Sequence, residues 1–271
     1  MGAATFFTEI GDSLGKHQVL RRQQSWYSMG VLQNLAALIF FMILALRPGG
    51  FVFTWASLPT FLVRLVLEVV QTLLTLRAIT QADRTTFSFI RVGTIPLLLG
   101  ADSLLGNALS HGQLAGVAII MFALMVIFIG HTMNRAGLGY VIGCTVNGAA
   151  TISLFKYDIS HYNSVAAEQL VAAGTIFIVL TALAFIKARE NPFKLLSKPG
   201  CLAQTITYGL GSLLDSFSYQ FAAASVISAA KRSFAVLWST AAGNRYFQET
   251  RLAFKICLSL FLILGILALT I

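Results

Sequence analysis

Apolar runs of about twenty residues alternate with short polar breaks along the whole chain, with no period-two alternation of the kind strands require. The runs predict spans at residues 27–46, 54–76, 85–106, 112–131, 137–155, 166–186, 202–221, 224–246 and 252–271. At 1.5 Å per residue each one matches a hydrocarbon core of about 30 Å. A spanning helix satisfies its own backbone hydrogen bonds, so the expected fold is an all-α polytopic bundle. Only residues 16–24 (KHQVLRRQQ) and 187–198 (KARENPFKLLSK) are longer polar breaks. Residues 1–16 read as too short to span and too acidic for a signal peptide, so they are expected to be the second half of a truncated helix. The expectation is nine full spans plus a stub.

Composition agrees with this pattern. The 271 residues are 57% hydrophobic and 11% charged, where a soluble domain carries about a quarter charged residues, and the mean hydropathy is +0.79. A net charge of +9 would also suit a nucleic-acid binder. Sorting the cations by predicted loop gives a different explanation. Thirteen (Lys16, Arg21, Arg22, Arg77, Arg84, Arg135, Lys187, Arg189, Lys194, Lys198, Arg245, Arg251, Lys255) fall on one side and two, Arg47 and Lys156, on the other. That bias assigns the first set to the cytoplasm and Ile271 to the far side of a plasma or inner membrane. No nucleic-acid partner is expected; the expected partners are membrane lipid and a small-molecule substrate, and a homodimer is left open.

Catalytic and metal chemistry find no support. Cys144, Cys201 and Cys257 are odd in number and lack CxxC spacing, which favours neither a disulfide framework nor a metal site. HExxH, GxSxG and P-loop patterns are missing, and His17, His111, His131 and His161 fall near predicted helix ends. The expectation is therefore no enzyme, no cofactor and no primary pump.

The chain reads as two related halves, 1–131 and 137–271. Gly2-Ala3-Ala4-Thr5 recurs as Gly148-Ala149-Ala150-Thr151, with Asp12 falling on Asp158. At a slightly smaller offset Arg47 falls on Arg189, Asn107 on Glu249 and Ala123 on Gly265, while Arg91 takes the place of the pair Lys231-Arg232. Five helices per half is an odd number, so the second copy enters the membrane inverted, as in many secondary carriers. The Gly243-Asn244-Arg245-Tyr246-Phe247-Gln248-Glu249 pattern, the last helix with Gly265, and the triplet Lys231-Arg232-Ser233 resemble the EamA-type transporters of the drug/metabolite transporter superfamily. The resemblance implies a ten-helix carrier for small metabolites with a central cavity. The chain departs from that pattern in Asn107, where the family has glutamate, and in the incomplete first helix. The charge bias also conflicts with the cytoplasmic ends usual in that family; the charges decide the expectation, because they act during insertion.

Ionisable residues inside the spans are the candidate site. An uncompensated Lys or Arg at a helix centre costs roughly 2.5–3.5 kcal/mol on insertion scales, so such groups face a protein interior or a water-filled cavity. Lys231 and Arg232 are adjacent in one span, and Asp215, with Ser212, Ser216 and Tyr219 nearby, is the expected partner of one of them. The cation left over suits a carboxylate or phosphate. Arg64 and Glu68 stand one turn apart, with Gln71 and Thr75 on the same stripe. These groups read either as a structural ion pair or as a substrate or proton site. Arg91 and Asp102 lie eleven residues apart, about 16 Å along a helix and too far to pair. Glu168 and Gln169 are expected at the interface, Gly116, Gly130, Gly143, Gly209, Gly211 and Gly265 at close helix contacts, Pro96 at a kink, and Trp238 or Tyr219 on a cavity wall. The site set is Arg64, Glu68, Gln71, Arg91, Asp215, Tyr219, Lys231 and Arg232, with Glu68 and Asp215 the groups for proton coupling. The function expected is a secondary transporter of a small polar, amphipathic or anionic solute by alternating access, with efflux the expected direction. A flippase for a lipid-linked substrate is the alternative and would show a lateral opening lined by basic residues; an intramembrane enzyme or structural subunit is a third reading.

Overall fold

The structure is a computed structural model that describes residues 1–104, 110–129, 136–221, 224–247 and 252–268. It is all-helical, with no strand among the described residues. The helices are α1 (Gly2–Leu20), α2 (Trp26–Ala45), α3 (Leu58–Gln81), α4 (Arg84–Arg91), α5 (Thr94–Leu104), α6 (His111–Ile129), α7 (Leu138–His161), α8 (Val165–Leu183), α9 (Pro199–Ser218), α10 (Ala224–Phe247) and α11 (Leu252–Ala268). Among the described residues three helical stretches are long and apolar enough to cross a membrane, Trp26–Ala45, Leu138–His161 and Val165–Ala188. These stretches fit membrane association. The 24-residue α3 is diluted by Arg64, Glu68 and Arg77.

Two expectations change. Residues 1–16 are not a stub: α1 runs 19 residues to Leu20, about 28 Å at 1.5 Å per residue, and takes in half of the polar segment at 16–24. Its polar side chains Glu9, Asp12 and Lys16 are buried against neighbouring helices, which low hydropathy alone conceals. The expected span at 85–106 is broken into α4 and α5. Pro96 has no N–H to give the Val92 carbonyl four residues back, and the turn there tightens, with Val92 N donating to Phe89 O and Gly93 N to Ile90 O.

Packing follows a regular pairing. α1 lies on α9 and α3 on α7; α2 lies on α9 and α3 on α8; α1 lies on α10, and α7 on α4 and α5. α2 also lies on α8, α6 on α11, and α4 and α5 on α10. Exchanging the first five predicted helices for the last five maps these pairs onto one another, whereas α10 on α11 and α1 on α3 have no comparable counterpart among the described residues. The caps repeat as well: Ser25 caps α2 by accepting from Ser28 N at 3.1 Å, and Ser164 caps α8 by accepting from Ala167 N at 3.2 Å.

The loops gather at two ends. At one, Glu190 accepts from Ser25 N at 2.9 Å and Ser28 Oγ at 2.6 Å, and Lys198 donates to Gln23 O at 3.4 Å. At the other, Val52 N donates to Ser164 Oγ at 3.1 Å and Thr54 N to Asn163 Oδ1 at 2.8 Å. The first end collects loops from the cation-rich set and the second collects loops from the cation-poor set. Lys16 and Arg84 prove to be buried, with Lys16 Nζ donating to Ala82 O at 2.6 Å, so these two cations are structural rather than loop charges.

The Glu190 clasp is sensitive to acid. Burial alone would raise the carboxyl, but hydrogen bonds from Ser25 and Ser28 outweigh it and hold the group below the ordinary glutamate value of 4.5. A carboxylate depressed by folding contributes stability above its unfolded pKa and loses it as pH falls through the folded value. The clasp is therefore expected to open as pH falls below 4.5. Trp26 directly follows the cap, so with Trp55 and Trp238 replaced by phenylalanine its fluorescence should show a transition below that pH. Glu190→Gln should remove this transition.

Candidate functional site

Seven helices converge on a polar cavity of about 200 Å³. The α3 wall presents Glu68, Gln71, Thr72 and Thr75, spaced so that they share one helical face. Gln71 is fixed there: Asn147 Nδ2 donates to its Oε1 at 2.9 Å, and its Nε2 donates to Thr75 Oγ1 at 3.2 Å. α2 supplies Gln33 and Asn34, α8 supplies Gln169, and α7 supplies Gly148, Thr151 and Phe155. Arg91 enters from the end of α4. A Cβ on Gly148 would stand 3.3 Å from its Nη2 and 3.4 Å from Gln71 Nε2, so the glycine makes room for both side chains. α9 brings Tyr208, Asp215 and Ser216, followed by Tyr219, and α10 brings Lys231 and Arg232.

Charge on these walls is unbalanced. Lys231 Nζ donates to Asp215 Oδ2, while Asp215 Oδ1 has no partner among the described residues. Arg232 is only 4% exposed, and neither it nor Arg91 has a carboxylate within 4.0 Å among the described residues. The Nε atoms of both are buried without a partner among the described residues, and the two guanidinium charges act on one another. Arg91 also stacks over Phe87, 5.5 Å from the ring centroid. Among the described residues three cations (Arg91, Lys231, Arg232) against two carboxylates (Glu68, Asp215) leave one positive charge on the lining. Tyr219 shares a hydrogen bond with Ser228 Oγ at 3.4 Å and turns its carbonyl to Lys156 Nζ at 2.8 Å.

Of the residues singled out in the sequence, Glu68, Gln71, Arg91, Asp215, Tyr219, Lys231 and Arg232 line this one cavity. Arg64 stands behind the wall, 1% exposed and over Phe155, with its centre 4.5 Å from the ring centroid. It lies 3.5 Å from Glu68, but its closer partner is Glu168. Glu168 is therefore not interfacial: it is fully buried, held by Arg64 and Asn163, and the neighbouring Gln169 faces the cavity. The Asp102 side chain, Asn107, Gly130, His131 and Glu249 lie outside the described residues, as do the side chains of Gly243 to Phe247. Gly209, Gly211 and Gly265 sit at close approaches, whereas Gly143 meets only ordinary contact. The sequence reading missed Glu9, Asp12 and Arg84, which form a second buried charge cluster in which Arg84 donates to Glu9 and lies 3.5 Å from Asp12. The spacing of Glu9 and Asp12, three apart on one helical face, was the available signal.

A separate cavity of about 430 Å³ opens between α1 and α10. Phe6, Ile10, Leu14 and Trp238 make it mainly apolar, with Glu9, Ser13 and His17 its polar members, and no Lys or Arg lines it among the described residues. Among the described residues no group of His, Cys, Asp and Glu is arranged to hold a metal ion. In comparisons with known proteins, the chain matches no family model and no curated sequence.

Proposed function

We propose that this chain is a multi-pass carrier of the plasma or inner membrane, built from two inverted five-helix halves, that moves a small anionic solute by alternating access. The observation that carries the reading is the pair Arg91 and Arg232, one from each half, facing one polar cavity with no acidic partner among the described residues. A buried cation without a counter-ion is costly, and an anionic solute removes that cost. Arginine offers a carboxylate or phosphate its planar two-point fork. Amides and hydroxyls around the cavity supply orientation without further charge.

The main helix pairs support the duplicated architecture, since α1 on α9 and α2 on α9 become α7 on α3 and α8 on α3 when the halves are exchanged. The chain is read as an EamA-type carrier on its Gly243-Asn244-Arg245-Tyr246-Phe247-Gln248-Glu249 pattern, Gly265 and the triplet Lys231-Arg232-Ser233. At about 200 Å³ the cavity is smaller than the ~300–1,000 Å³ usual for drug-sized ligands, which favours a compact metabolite. The flippase alternative has less support, because the basic residues face the polar cavity and the chamber between α1 and α10 has none among its described lining. Proton coupling would fall to Glu68 or Asp215.

Metabolite profiling of a deletion strain against an overexpressing strain tests the function. The expected result is one small anionic metabolite that changes in opposite directions in the two strains. Opposite changes confined to cations or lipids would overturn it. Orientation has its own test. Ser13 is buried and unsuitable as a probe, whereas Ser197 and His161 are exposed at opposite ends. In a cysteine-free background His161→Cys should react with an impermeant thiol reagent on intact cells and Ser197→Cys only after permeabilisation. Labelling of position 197 from outside contradicts the assignment.

A further inference from the structure

The hairpin of α3 and α4 is fastened at each end by a buried charge network, and the polar cavity lies between the two. Near the start of α3, Arg64 donates to Glu168 of α8, and Asn163 bridges Glu168 to Ser57 Oγ, the latter at 2.8 Å. Thr60 adds a hydrogen bond to Asp158 of α7 at 2.5 Å. At the far end, Arg84 opens α4 by donating to Glu9 and standing 3.5 Å from Asp12 of α1, while Gln33 of α2 donates to Asp12 Oδ1 at 2.8 Å. The first network ties the hairpin to α7 and α8, and the second ties it to α1 and α2. Arg64 and Arg84 are 1% and 0% exposed.

Apolar packing of the same volume would hold these ends at least as well, because the desolvation of a buried ion pair offsets most of its attraction. A charged seal differs from an apolar one when it opens. Water entering the gap rehydrates separated ions and lowers the cost of parting them, whereas it penalises every apolar atom it touches. Charges at both ends of one hairpin therefore suit an element that must detach at either end in turn. Glu68 adds a link to the cavity: it lines the site, and its Oε1 lies 3.5 Å from Arg64 Nη2, so Arg64 keeps one carboxylate when it leaves the other.

We infer that Arg64–Glu168 and Arg84–Glu9/Asp12 are the two latches of the carrier, the first closing the end that holds loops 46–57 and 162–164, the second closing the cation-rich end. They are positioning residues: they touch no solute and set which end of the cavity is open. The inference rests on the carrier reading above.

The test reads accessibility rather than transport. Cys144, Cys201 and Cys257 are replaced, a single cysteine is placed at Thr151 on the cavity wall, and its reaction with an impermeant thiol reagent is timed on intact cells. Glu168→Gln weakens the first latch and should speed labelling from outside by about fivefold or more, the low end of ordinary coupling between states. Glu9→Gln with Asp12→Asn should slow labelling from outside and speed it from the cytoplasmic face in inverted vesicles. Should Glu168→Gln fail to reach the membrane, Arg64→Lys weakens the same latch with its charge kept and carries the same expectation. Rates that do not change, or that move in the same direction for both latches, overturn the proposal. Opposite shifts in a chain that moves no solute would keep the latches and sink only the carrier reading.

Discussion

Arg232→Ala should cut solute movement sharply while leaving the protein as stable as the parent or more so. The two effects separate because Arg232 is buried without an acidic partner among the described residues. Removing it deletes an uncompensated charge and breaks no ion pair. A hydrogen bond to a charged group contributes about 1.5–3 kcal/mol, so solute affinity should fall about 10- to 150-fold at 1.4 kcal/mol per decade. Arg91→Ala should behave alike. Lys231→Ala is the contrast: it strands Asp215, whose Oδ1 already lacks a partner among the described residues, and should lower both stability and transport. Adding Asp215→Asn should restore the stability alone. Melting temperature in detergent and uptake in proteoliposomes, read on the same preparations, check all four variants. A clear loss of stability in Arg232→Ala would place that residue in the scaffold.

Gly211→Ala prevents α9 from seating on α1. An added Cβ would stand 2.4 Å from Thr8 Oγ1, 2.7 Å from Thr8 N and 2.8 Å from Ala4 O. Two of these atoms are backbone, so the helices must separate. Overpacking ordinarily costs about 1–3 kcal/mol, and a contact against backbone belongs at the upper end, about 3 kcal/mol. Gly209 does the same toward α2, where a Cβ would meet Ala36 Cβ at 2.5 Å, so α9 is wedged between two helices by a pair of glycines. Gly100→Ala is the control, since nothing among the described residues lies within 4 Å of its added Cβ. Thermal unfolding in detergent should rank Gly211→Ala well below the parent and Gly100→Ala level with it.

Much of this fold was legible because hydrophobic run length reports helices directly. α2 occupies Trp26–Ala45 against an expected 27–46, and α10 occupies Ala224–Phe247 against 224–246. The Lys231–Asp215 pair was legible too, as each charge needed an opposite one within reach. Glu168 was not, since its partner Arg64 is 104 positions away and only the packing of α3 near α8 unites them. Glu9, Asp12 and Arg84 escaped for the same reason. Their charges make α1 and the start of α4 look solvated, yet the fold places those charges against one another inside the protein. Local pattern predicts what a segment can form, and burial of a charge depends on where its counter-charge lands.

The direct test of the central claim is ligand-induced stabilisation of the purified protein by a panel of small carboxylates, phosphates, amines and neutral solutes of similar size. A ligand at 100 times its Kd stabilises the folded state by about 2.7 kcal/mol, enough to read as a shift in melting temperature. One or more anions should stabilise the parent chain and leave Arg91→Ala and Arg232→Ala unshifted. Stabilisation by amines or neutral solutes alone, or anion shifts undiminished in both arginine variants, would contradict the claim.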